Sequence, residues 1–222
     1  MAKYDRQLII MFHCGTSAEV KVVVDGATQL QKKGLQNEAN SRISHWMNAP
    51  VDAEWWFGLR ELKRELAVLT DRSRLYIYGH CDWGHQKVGT YTGKEMANLL
   101  ANCGLKKVKL ISIVACKAAR KYDDGSECFA SQFLVGLAGH DIATEVFARW
   151  DATGVWPKDE DPTMTMLGRK WTRPDEKAHD KGWLANKAEG TKWKFTYNGG
   201  QVVREEVKYP WNESPEMEFE EI

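Results

Sequence analysis

At 222 residues the chain is long enough to bury a large fraction of its surface in one domain. Its 31 basic residues balance 31 acidic ones, so no global field favours nucleic acid or an anionic membrane. No apolar run approaches a membrane span, and the short one that follows Met1-Ala2-Lys3-Tyr4-Asp5-Arg6 is too brief for a signal-peptide core. A cytoplasmic protein is expected, or one delivered into another cell without a cleaved signal. Five cysteines (Cys14, Cys81, Cys103, Cys116, Cys128) form an odd, scattered set, which points to reduced thiols and not to a disulfide framework.

The apolar run at residues 8–12 predicts a central strand buried on both faces. Residues 20–24 read as a second strand, with Asp25-Gly26 as a turn, and residues 29–47 favour helix. Beyond Pro50 and Trp55-Trp56-Phe57, the leucines Leu59, Leu62 and Leu66 recur at helical spacing, so that helix packs one face on the sheet. A strand over residues 75–79 ends in His80 and leads to a glycine-punctuated loop, residues 81–93, long enough to suggest function.

Thr92-Gly93-Lys94-Glu95 has the form of a capping box, and its helix should stop at Gly104. The next strand begins at Leu110 and ends at Cys116; a helix over residues 126–137 and a strand over 143–148 follow. Residues 192–203 alternate around Asn198-Gly199-Gly200 like a hairpin. Residues 1–210 are expected to form a single domain, with an acidic tail at 211–222. The ten tryptophans, concentrated late in the chain, suit either an irregular part of the core or an aromatic-lined groove.

The alternation of strands and helices predicts an α/β fold, a three-layer α/β/α sandwich on a mostly parallel sheet. Strand, loop, helix, strand is the unit that makes neighbouring parallel strands by a right-handed crossover. It would bring His80 and Cys116 to one rim, the carboxyl ends of the strands, where such sheets bind ligands. Taken singly, His80 is a hydrogen-bonded histidine at a strand end and Cys116 a small buried hydrophobe. Taken together they are the minimal kit for thiolate catalysis, with the imidazole promoting deprotonation of the thiol and later protonating a leaving amine.

Tyr78-Gly79-His80, the helix opened by Thr92-Gly93-Lys94-Glu95 and Ile113-Val114-Ala115-Cys116 resemble the caspase-like (clan CD) cysteine peptidases. That group includes caspases, gingipains, clostripain and the self-cleaving protease domain of RTX toxins, the last being nearest in layout. The resemblance covers residues 75–148. It implies a cysteine endopeptidase that acts on a protein or peptide through an acyl-enzyme, without a cofactor. Cys116 would be the nucleophile, His80 the general base and acid, and the main-chain N–H groups of Cys116 and Cys81 the oxyanion hole.

The family most often has glycine directly after the histidine; if a positive φ is needed there, Cys81 would bear a steric penalty. A catalytically inactive caspase-like binding module and a cysteine-dependent deamidase acting as an effector are the alternatives. Caspases have a substrate-reading glutamine two positions before the nucleophile; the resemblance puts Val114 at that substrate-binding position, which disfavours an aspartate-specific pocket. The pocket is expected near residues 145–151, with Glu145 or Asp151 receiving a basic side chain, or Val146, Phe147 and Trp150 lining a hydrophobic one. Toxin relatives are activated by inositol hexakisphosphate on clustered bases. Lys192, Lys194, Arg204 and Lys208 could be so read, but the interleaved Glu205 and Glu206 favour a solvated strand face.

Other chemistries lack their spacing. His13-Cys14-Gly15-Thr16-Ser17 has Val20 where a phosphatase loop needs arginine, and His80, Cys81, His85, His13 and Cys14 lack zinc-ligand pairing.

Overall fold

The computed structural model describes residues 4–13, 17–36, 40–47, 53–121, 127–150, 152–155, 170–173, 183–184 and 192–207. In chain order these form β1 (Arg6–His13), α1 (Ser17–Gln36), β2 (Asn40–Met47), α2 (Ala53–Ala67) and β3 (Arg74–Gly79). Three two-residue strands follow, β4 (Cys81–Asp82), β5 (Lys87–Val88) and β6 (Tyr91–Thr92), then α3 (Gly93–Asn102), β7 (Leu110–Val114), α4 (Phe129–Ala138) and β8 (Glu145–Arg149). The last elements are β9 (Ala152–Val155), β10 (Lys170–Arg173), β11 (Trp183–Leu184), β12 (Lys192–Asn198) and β13 (Gln201–Glu206).

Seven strands make the main sheet, in the order β13-β12-β8-β7-β3-β1-β2. Its pairings from β2 through β8 are parallel, and the β12–β13 hairpin adds to β8 antiparallel. The protein is thus a mixed α/β fold with a large, mostly parallel sheet and four helices among the described residues. Strand order runs outward from β1 to β2 and then reverses through β3, β7 and β8, which creates a topological switch point between β1 and β3.

Alternation along β1 splits the core into two clusters. Leu8, Ile10 and Phe12 pack with Leu62 and Leu66 of α2, Met96 and Leu100 of α3, and Phe129 and Phe133 of α4. Ile9 and Met11 pack with Val23, Ala27 and Leu30 of α1. Among the described residues no helix is long and apolar enough to cross a membrane.

Two sequence expectations are corrected. Residues 20–24 belong to α1, and Asp25-Gly26 lies within that helix instead of turning the chain. Valine disfavours helix only weakly, and the helical spacing of Val23, Ala27 and Leu30 buries all three against the sheet. Gly26 is needed by close approach, because a Cβ there would overlap the phenol of Tyr78 on β3. Residues 40–47 form the edge strand β2, although residues 29–36 are helical as expected. An edge strand ladders to one neighbour, so β2 can be polar and still hold the register Leu8↔Arg42 and Ile10↔Ser44. The proposed acidic tail lies outside the described residues.

Candidate active site

The β3–β7 ladder pairs Arg74 with Leu110 and ends on Tyr78↔Val114. Two residues beyond that last pair on each strand stand His80 and Cys116, both half-buried, at the same carboxyl rim of the sheet. The crossover between the two strands runs through the β4–β5–β6 hairpins and α3. The helix begins at the expected capping box: Glu95 N–H donates to Thr92 Oγ1 at 3.3 Å, and Thr92 N–H donates to Glu95 Oε2 at 2.8 Å.

Beside His80, the hairpin fixes the main chain. Gly89 N–H donates to the His80 carbonyl at 3.0 Å, and Cys81 is the register partner of Val88. A ladder bond flanking that pair makes it the non-hydrogen-bonded kind, so the Cys81 N–H is directed away from β5. Cys81 is extended backbone in β4, so the steric penalty considered for a residue in place of glycine does not arise. Burial, reinforced by the nearby Cys116 and Asp82 and opposed by Lys117, pushes the Cys81 thiol up to about 12. Cys81, Cys103, Cys116 and Cys128 are all thiols, not disulfides.

After Cys116 the chain turns sharply. Lys117 has φ 53°, a left-handed conformation uncommon outside glycine, and Arg120 N–H closes the turn on the Lys117 carbonyl at 3.0 Å. Ala119 N–H donates to the Arg149 carbonyl of β8 at 2.8 Å, and Ala130 N–H of α4 donates to the Ala118 carbonyl at 3.0 Å. Strain held in place by surrounding bonds is a common property of reactive sites. On the exposed side of the hairpin, His85 Nδ1 lies 2.7 Å from Asp82 Oδ2, a contact that holds the Asp82 carboxyl below its usual range.

The expected substrate-binding residues fare unevenly. Val114 is 1% exposed and packs with Met11, Tyr76 and Tyr78, so it faces the core and not a ligand. Glu145 starts β8 opposite Leu110, at the amino end of the sheet and therefore away from Cys116; its carboxylate lies 3.2 Å from Lys194 Nζ. Val146 is fully buried. Trp150 directly follows β8 on the same rim as Cys116, half-buried, its ring 6.2 Å from that of Trp193. The Arg204 guanidinium lies over both indoles, at 5.1 Å and 4.4 Å. Asp151 lies outside the described residues, as does Lys208. Of the remaining bases, Lys194 pairs with Glu145 and Glu205, and Lys192 lies over the Phe147 ring at 4.9 Å.

Sequence inspection missed Gln86. It is 2% exposed and left-handed at φ 51°, and its side-chain amide bridges the two loops of the site. No periodic pattern marks a lone glutamine in a loop. Among the described residues no group of three or more His, Cys, Asp or Glu side chains could hold a metal ion. The sequence matches no family model and no curated protein.

Proposed function

We propose that the chain is a caspase-like cysteine endopeptidase built on a three-layer α/β/α body, with Cys116 as nucleophile and His80 as general base and acid. The observation that carries this is the Tyr78↔Val114 register, beyond which imidazole and thiol follow at the same distance along adjacent parallel strands. His80 takes the Cys116 proton, and the sulfur attacks a peptide carbonyl to give a tetrahedral oxyanion. The outward N–H of Cys81 and the N–H of Cys116 supply donors already in place where that charge develops. His80 then protonates the departing amine, leaving an acyl-enzyme that water hydrolyses. The high pKa of Cys81 keeps its thiol protonated near neutrality, so it does not compete with Cys116.

The test is a diverse peptide library incubated with the full chain and read by mass spectrometry. Cleavage products lost in both Cys116→Ala and His80→Ala support the proposal. A mass gain from amide-to-acid conversion without chain cleavage would replace it with deamidation, and no modification of any peptide would replace it with a binding module.

A further inference from the structure

We propose that Gln86 is the positioning residue that sets the reach between His80 and Cys116. Its Oε1 accepts a hydrogen bond from Phe129 N–H at 2.7 Å, and its Nε2 donates to the Arg120 carbonyl at 3.4 Å. Phe129 is the first residue of α4, where a helix leaves N–H groups without intrahelical acceptors. The glutamine from the histidine hairpin satisfies that first N–H of the helix, one that an N-cap side chain at Cys128 does not serve.

The second contact reaches the turn that follows the nucleophile, since Arg120 N–H bonds the Lys117 carbonyl. On its own side Gln86 precedes β5, whose Val88 is paired with Cys81 and whose neighbour Gly89 holds the His80 carbonyl. One buried amide thus ties the loop bearing the imidazole to the loop bearing the sulfur. A non-glycine residue is kept left-handed at φ 51° only where its surroundings over-determine it, and here both ends of the side chain do so. Catalytic geometry is sensitive to such ties, because displacement by about 1 Å can cost about 10²-fold in rate.

This assignment rests on the His80–Cys116 chemistry proposed above, and a double-mutant cycle separates the two. The probe is iodoacetamide, and the rate of Cys116 carbamidomethylation is followed by peptide mass spectrometry at neutral pH in the full chain. Gln86→Met is expected to slow Cys116 by about tenfold when His80 is present and to have no effect in the His80→Ala background. General loosening does the opposite: it exposes the thiol and speeds alkylation in both backgrounds, and that result would overturn the inference. An unchanged Cys116 rate alongside a lowered melting temperature would also overturn it.

Gln86→Glu guards against a variant that fails to fold, since its carboxylate can still accept from Phe129 N–H but opposes the Arg120 carbonyl. It is expected to stay folded at the assay temperature, with a melting temperature lowered by the buried carboxylate, while slowing Cys116 as Gln86→Met does, and a wild-type rate would reduce Gln86 to a helix cap. Equal rates in the wild type and His80→Ala would instead sink the dyad itself.

Discussion

Tyr78 and Val114 face each other across the β3–β7 ladder, and both are buried in the cluster that packs against α1. A slip of one residue in either strand would turn that strand's side chain out of the cluster, so burial locks the register. The same register sets how far His80 and Cys116 stand beyond the sheet, which ties the proposed chemistry to the packing of α1.

That link can be tested at Gly26. Alanine is the better helix former by about 1 kcal/mol, yet its Cβ would overlap the Tyr78 phenol. Gly26→Ala is expected to destabilise the fold by about 1–3 kcal/mol in urea unfolding, the usual cost of overpacking. A raised unfolding midpoint would mean that α1 does not approach β3 so closely.

The role assigned to Cys81 belongs to its main chain. Cys81→Ala is therefore expected to keep turnover within about twofold, whereas loss of an oxyanion donor costs about 10²–10³-fold. Iodoacetamide near neutrality should leave Cys81 unmodified while it labels Cys116, because burial raises the Cys81 thiol to about 12. Loss of turnover in Cys81→Ala would bring the side chain into the chemistry.

Much of the scaffold was legible because it rests on local signals. The apolar runs of β1, β3 and β7, the capping box at Thr92 and the glycine turn at Gly199 and Gly200, with φ 58° and 87°, each carry their own pattern. The neighbouring placement of β3 and β7 followed from the strand, loop, helix, strand unit. Where tertiary packing overrides propensity, local signals fail: valines 22–24 are helical because α1 buries Val23, and polar β2 is a strand because β1 offers it an edge. Glu145 was expected near the substrate because its strand was recognised, but it opens that strand on the opposite rim from Cys116. Gln86 carries no pattern at all, since its role exists only after two loops have met.

The capping box gives a pH-dependent contribution of known sign. Hydrogen bonds from the Thr92 main chain, and then from its hydroxyl, hold the Glu95 carboxyl below its usual value of 4.5. A depressed carboxylate stabilises the fold above its unfolded-state pKa, and that stabilisation fades as pH falls through the lowered folded-state value. Thr92→Ala should cost about 1 kcal/mol near neutrality. The stability gap between wild type and Glu95→Gln should narrow on acidification below pH 4.5 in thermal or urea melts; a gap that widens on acidification would contradict this sign.

Covalent trapping addresses the chemistry itself. Peptidyl acyloxymethylketones of varied sequence react fastest with a thiolate held beside a histidine in a peptide-binding cleft, and intact mass followed by peptide mapping locates the adduct. A thioether on Cys116, forming about 10²-fold or more slowly in His80→Ala, is the expected result. Labelling of Cys103 or Cys128 at the same rate as Cys116, or a Cys116 rate indifferent to His80→Ala, would contradict the dyad.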